Sequence, residues 1–243
     1  MRTAAALIIG SELLSGKIAD KNLYVLARTL RTLGIQFRRA VTVLDELSVI
    51  ADEVRSLSET HDCVFTSGGV GPTHDDMTID GVAKAFGVPV VVSPELSKML
   101  RAYYGERVTE SHLLMARMPE GARLVSSPEV PWPTTVMRNV WILPGVPQIF
   151  EMKTALIRSE LGAERPYLSF AVSTSLDEGQ LKPMLDRVVS AYPDVDIGSY
   201  PKWGDSHYRT KLTFDGFEEE RVRAARDAFM ASLPQETILG LEG

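Results

Sequence analysis

Cysteine is nearly absent from this sequence. Cys63 is the single thiol among 243 residues, which excludes an internal disulfide and any multi-cysteine zinc site and fits a reducing compartment. No apolar run approaches the ~18 residues a membrane span requires. The opening stretch to Gly16 carries one arginine, a short apolar segment and no small-residue cleavage signature. It reads as a buried first strand, not a secretory leader, so a cytoplasmic location without membrane association is expected. Basic runs are also missing, and 26 Lys+Arg against 32 Asp+Glu leave a net charge of −6, which disfavours a nucleic-acid partner. Neither G-x-G-x-x-G nor G-x-x-x-x-G-K-[ST] occurs, so the usual dinucleotide and P-loop routes to phosphate are closed. What remains, 44% hydrophobic and 24% charged residues, is an ordinary globular composition, long enough for one large or two modest domains.

The first two-thirds alternates buried-strand patterns with amphipathic helical ones, the signature of an α/β fold with a mostly parallel sheet flanked by helices. Strands are expected at Ala4–Ile9, Ile35–Leu44, Asp62–Thr66, Val88–Val92 and Val140–Leu143. Helices are expected at Asp20–Leu33, Glu46–Leu57, about 78–86, 94–104, 108–117 and 147–161. Ser93-Pro94-Glu95 is a helix start with serine as cap and proline in the first turn. The segment from Ser126 to Thr135 holds three prolines and is expected to be irregular or an edge excursion. A polar joint at Gly162–Pro166 predicts domains at 1–162 and 166–243, the second a small α+β subdomain. There, strands are expected at 168–173, 195–199 and 207–214 and helices at about 176–191 and 217–232, with Ser175 and Glu178 as a capping box. Residues 166–243 carry 8 basic and 13 acidic side chains, so nearly all the net charge lies in the tail.

The most informative stretch is Ser67-Gly68-Gly69-Val-Gly71-Pro-Thr73-His-Asp75-Asp76, directly after a buried strand and before a helix. Glycines allow a sharp turn, bring backbone N–H groups close to an anion, and sit where an open α/β sheet binds ligands. The helix that follows favours phosphate at its N-terminus. Adjacent aspartates repel phosphate, so their place beside an anion loop makes sense if a divalent cation joins carboxylate and phosphate oxygens. Glu12, after the first strand, can face the same crevice. His74 reads as a solvent-facing loop residue, while His61, His112 and His207 show no metal-ligand spacing. Cys63 reads as a small buried hydrophobe.

The segment SGGVGPTHDDMT resembles the GG-x-GPT-x-DD-x-T motif of the molybdopterin-binding (MoaB/Mog-like) domain superfamily, above all the CinA-type N-terminal domain and the molybdopterin-binding-like domain of eukaryotic FAD synthases. Four further matches follow the family order: Gly10-Ser-Glu12-Leu-Leu-Ser-Gly16 with Asp20 and Asn22; Asp45-Glu46; Leu143-Pro144-Gly145-Val-Pro147; and Glu178-Gly-Gln180-Leu181 with Tyr200-Pro-Lys-Trp-Gly204 and Arg209. Ser67 replaces the family's usual threonine and keeps the hydroxyl. No segment resembles the amidase-type or FAD-synthesising domain of longer relatives.

The resemblance implies a small-molecule nucleotide or pterin ligand, molybdopterin included, bound by Glu12, Ser67, Gly68, Gly69, Gly71, Thr73, Pro144 and Gly145, with the Gly68–Thr73 backbone cradling its phosphates. Asp45 and Asp76 would be catalytic, and Asp75 and Asp76 would hold a divalent metal such as magnesium, manganese or cobalt. The CinA-type and FAD-synthase-type branches imply hydrolysis of an adenylate phosphoanhydride in ADP-ribose or FAD. The adenylyltransferase branch implies adenylyl transfer to molybdopterin in molybdenum cofactor biosynthesis, and a third reading is a non-catalytic binding module. A homo-oligomer is the family expectation.

Overall fold

The computed structural model describes residues 2–162, 167–204 and 207–243, so the expected joint at 163–166 lies outside the described residues. The chain divides into two compact units, Met1–Glu164 and Arg165–Gly243.

In the first unit the elements are β1 (Thr3–Ile9), α1 (Ser11–Leu14), α2 (Asn22–Thr32), β2 (Gln36–Val43), α3 (Leu47–Thr60), β3 (Cys63–Ser67), α4 (Thr78–Phe86), β4 (Val90–Val92), α5 (Pro94–Tyr104), α6 (Glu110–Leu114), β5 (Arg117–Pro119), β6 (Arg123–Ser127), β7 (Val130–Met137), β8 (Val140–Leu143) and α7 (Pro147–Leu161). Six strands form one sheet in the order β2-β1-β3-β8-β7-β6. β2, β1, β3 and β8 run parallel, while β7 and β6 turn back antiparallel. A mostly parallel sheet between helices is therefore what the alternation encodes.

β1 shows how the sequence makes three layers. Ala4, Ala6 and Ile8 enter a core with Leu26 and Leu30 of α2 and Phe150, Leu156 and Ile157 of α7. Ala5, Leu7 and Ile9 enter the opposite core with Ile50, Val54 and Leu57 of α3 and Val82 of α4. The period of two along a strand thus feeds both faces. Because β2 and β3 flank β1 on opposite sides, the chain reverses direction across the sheet between β1 and β3. That switch point opens a crevice at the strands' carboxyl ends.

Three expectations are narrowed or corrected. Of the two forms expected for the proline-rich segment it takes the edge excursion, as the β6–β7 hairpin at the sheet edge. Pro131 and Pro133 are tolerated because β7 pairs with β8 only over Thr135–Met137, where N–H donors are needed. The helix expected at 108–117 shrinks to α6, since Arg117–Pro119 pairs instead with β4 as a separate two-stranded ribbon. Its short start is capped by Thr109 and His112, which form a reciprocal box. The Ser93 cap forms as expected, accepting from Leu96 N–H at 3.2 Å. At the β7–β8 turn, Asn139 donates to the carbonyls of Ser58 and His61 at 3.0 and 2.8 Å and fastens the turn to the end of α3.

The second unit contains β9 (Leu168–Thr174), α8 (Glu178–Ala191), β10 (Asp196–Pro201), β11 (Thr210–Gly216), α9 (Glu219–Ala231) and β12 (Ile238–Glu242). Its antiparallel sheet has the order β10-β11-β9-β12, with Phe170, Val172, Leu212 and Phe214 packed against Leu181, Val222 and Phe229 of the helices. The third correction is the cap of α8. Asp177 and Gln180 form the reciprocal box, not Ser175 and Glu178.

Candidate functional site

Four parallel strands end at one edge of the first unit, and each delivers predicted residues there. β1 leads to Gly10 and Glu12, β2 to Asp45, β3 to the loop from Gly68 to Asp76, and β8 to Pro144 and Gly145. Glu12, Asp45, Ser67, Gly68, Gly69, Gly71, Thr73, Asp75, Asp76, Pro144 and Gly145 all line one cavity of about 570 Å³. Residues separated by more than a hundred positions therefore meet because parallel strands place their carboxyl ends side by side.

The glycines are required first by the protein itself. Gly68 has φ +105°, and a Cβ there would lie 2.2 Å from the Ile9 carbonyl oxygen. A Cβ on Gly145 would press on Gly68 Cα at 3.2 Å, and one on Gly69, at φ +63°, would meet Thr78 Oγ1 at 2.5 Å. Thr78 in turn donates its hydroxyl to Gly68 O at 2.7 Å and its N–H to Gly69 O at 2.9 Å. Close backbone approach here is between strand ends, a reason that the motif alone does not reveal. Gly68 N–H is spent on Leu143 O, which leaves the N–H groups of Gly69, Val70 and Gly71 for a ligand.

Each key carboxylate is held by one oxygen. Asp45 Oδ2 accepts from Ser11 N–H at 2.7 Å and Ser11 Oγ at 2.8 Å. Asp76 Oδ2 accepts from Thr73 N–H at 2.7 Å and Thr73 Oγ1 at 2.5 Å, and a Cβ on Gly71 would sit 2.6 Å from that same oxygen. Both the N–H and the hydroxyl of Thr73 are thus bonded to aspartate oxygens. Its hydroxyl also reaches Asp75 Oδ1 at 2.6 Å, and this hydrogen bond holds the exposed Asp75 carboxyl below its ordinary pKa. His74 stays in solvent, with its side chain 97% exposed.

Asn22 is a site residue that the motif comparison touched without assigning it a role. Its amide donates to Ser67 Oγ at 2.9 Å and to Gly145 O at 2.8 Å, its Oδ1 is buried without a partner, and the residue borders the same cavity. An orphan acceptor of this kind is suited to a ligand donor.

Lys153 was missed altogether. It lies in α7 one turn from Phe150 and one turn from Ile157, on the buried stripe, and is only 5% exposed. Its Nζ donates to the carbonyls of Trp132 and Pro133, and burial pulls its pKa from 10.5 down to about 8. A lysine in phase with the apolar residues of α7 was the available signal. It lines a second cavity, of about 380 Å³, which shares Gly69, Val70, Gly71, Thr73 and Asp76 with the first. The loop therefore forms a wall common to both. Cys63 is buried, with its thiol pKa raised by desolvation, in keeping with a structural role.

Among the described residues, no three His, Cys, Asp or Glu side chains form a cluster able to hold a metal by themselves. No helix of the described residues is long and apolar enough to cross a membrane.

Residues 5–161 match the family model for a probable molybdopterin binding domain, and residues 166–242 match that for the FAD synthase middle domain. A protein of Archaeoglobus fulgidus is 34% identical, with the match covering 91% of this chain and 93% of that one. A probable FAD synthase of Caenorhabditis briggsae is 33% identical across 93% of this chain, which spans only 49% of that relative's length. The crystal structure of the protein CinA from Thermoplasma acidophilum superposes with a TM-score of 0.60 at 32% identity, covering 66% of this chain and 98% of that one. With the crevice, the loop and these relatives in agreement, the chain belongs to the molybdopterin-binding domain family, and its second unit matches the model of the FAD synthase middle domain.

Proposed function

We propose that the first unit binds the phosphates of a nucleotide or molybdopterin-type ligand on the Gly69–Gly71 backbone and hydrolyses an adenylate phosphoanhydride, as in ADP-ribose or FAD, with a divalent metal. The observation that carries this reading is that Asp45 and Asp76 line the cavity of the glycine loop, each anchored through one oxygen and retaining the other.

The donor set fits a hard cation. Magnesium and manganese prefer carboxylate oxygens and commonly use one or two of them plus substrate phosphate and water, which suits a site with no closed three-ligand cage of its own. Asp76 and Asp75 would hold the ion, which when bound would supply charge neutralisation at the phosphates. The protein's part is to fix the rest. The loop N–H groups favour negative charge as it develops on the phosphoryl oxygens, and Ser11 orients Asp45 so that its second oxygen accepts a proton from the attacking water. Water oxygen bonds to one phosphorus, the anhydride P–O bond breaks, and the two products are AMP and the partner phosphomonoester, ribose 5-phosphate from ADP-ribose or FMN from FAD.

The test is AMP release from ADP-ribose and from FAD, with magnesium, manganese or cobalt and with chelator. Metal-dependent release is expected. No release under any metal, with ligand binding intact, would replace hydrolysis by the non-catalytic reading.

A further inference from the structure

The second cavity shares Gly69, Val70, Gly71, Thr73 and Asp76 with the proposed phosphate site and continues beyond them along Leu96, Leu100 and Tyr103. Its walls are mostly apolar and aromatic, with Thr73, Asp76, Arg117 and Thr135 as polar members: Tyr103 and Trp132 meet edge to face with ring centroids 5.4 Å apart, backed by Leu100 and Ile149. Into these walls the protein places one nearly buried cation. Lys153 Nζ has three N–H donors, and the carbonyls of Trp132 and Pro133 take two. Burial lowers its pKa. Keeping an unpaired ammonium in an apolar wall is costly, so a wall built only for packing would use leucine or methionine. About 380 Å³ is at the small end of the ~300–1,000 Å³ typical of ligand pockets, enough for a ring system but not for a whole dinucleotide.

We infer that this cavity is the specificity subsite for the planar nitrogen heterocycle of the ligand, with Trp132 and Tyr103 packing on the ring and Lys153 donating its remaining N–H to a ring oxygen or nitrogen. The inference rests on the phosphate reading of the neighbouring cavity, since Gly69, Val70, Gly71 and Thr73 line both cavities and would lie between the ring and the phosphates. Trp132 and Lys153 are then positioning and recognition residues, and neither touches the reacting phosphorus.

The experiment compares the affinities of AMP, FMN, ribose 5-phosphate and inorganic pyrophosphate for the full chain and for its Trp132→Leu and Lys153→Met variants, by calorimetry. Loss of ring stacking or of its hydrogen bond is expected to weaken AMP or FMN about 10-fold, with ribose 5-phosphate and pyrophosphate unchanged in both variants. Thermal melts confirm that each variant folds, and the tryptophan variant stands if the lysine variant does not. If ribose 5-phosphate binds the native chain as tightly as both ring-bearing compounds, or if both variants leave the ratios unaltered, the subsite is overturned while the phosphate reading stands. Failure of all four compounds to bind the native chain would overturn the phosphate reading, and the subsite with it.

Discussion

Lys153 should give this protein a stability that rises with pH in the alkaline range. Its pKa is lowered from 10.5 to about 8 because burial penalises the charge. Between those values the unfolded chain binds more protons than the folded one, so unfolding becomes harder as pH increases. Below about pH 8 the folded state carries the buried ammonium in full; above about pH 10.5 both states are neutral and the penalty is gone. At ~1.4 kcal/mol per pKa unit the shift corresponds to about 3 kcal/mol, of which about 2 kcal/mol returns between about pH 7 and about pH 9.5. Other groups titrate over the same range, so the quantity to measure is the difference from Lys153→Met, which keeps the aliphatic stem and removes the titration. Urea unfolding at both pH values should show the native chain gaining about 2 kcal/mol on the variant, or about 1 M in midpoint for an m-value of about 2 kcal/mol/M. A difference that stays flat would refute the desolvation argument. One that falls with pH would mean that the ammonium has a stabilising anionic partner.

Three further perturbations separate folding from function at the loop. Gly71→Ala places a methyl group where Asp76 Oδ2 now lies; AMP release should fall about 100-fold while the melting temperature drops by less than about 3 °C, and unchanged turnover would remove Asp76 from the mechanism. Gly68→Ala combines an unfavourable φ with a 2.2 Å approach to Ile9 O and should cost about 3 kcal/mol or more, read as a fall on the order of 10 °C in thermal unfolding; a native-like melt would contradict the packing account of that glycine. Asp45→Asn and Asp76→Asn should each lower hydrolysis by about 100-fold or more and the double variant by little beyond either, because groups acting as one unit are non-additive; fully additive losses in the metal titrations would argue for separate roles.

The parallel sheet and its edge were legible because both rest on short-range regularities. Buried apolar runs of the kind seen at Ala4–Ile9, helical spacing and a glycine loop at a strand end place the crevice without any tertiary information. The hairpin at Val130 was not legible, since whether a proline offends depends on which neighbour needs its missing N–H, and that is a property of the register. β12 was overlooked for a related reason: Leu239 and Leu241 are half exposed, and Gly240 sits at a register shift, so the segment shows little hydrophobic contrast. At the site, residue types revealed where chemistry would gather but not what each group would spend its bonds on. The pattern does not show that the Thr73 hydroxyl bonds Asp75 and Asp76, or that a Cβ on Gly68 would meet the Ile9 carbonyl.

The placement of β8 has a consequence for biosynthesis. β3 is central in the sheet, yet the neighbour on its far side is made only after a long intervening excursion, and an asparagine fastens each end of that neighbour: Asn139 to the end of α3 and Asn22 to Gly145. Until the segment through Gly145 has left the ribosome, the fully buried Val64 and Phe65 of β3 have an open edge beside them, the kind of surface that recruits other strands. The cavity also lacks the wall that β8 and its turn provide. A nascent chain stalled before that point would therefore be both sticky and unable to hold a ligand, so solubility and ligand binding should be acquired together, late, in one closing step.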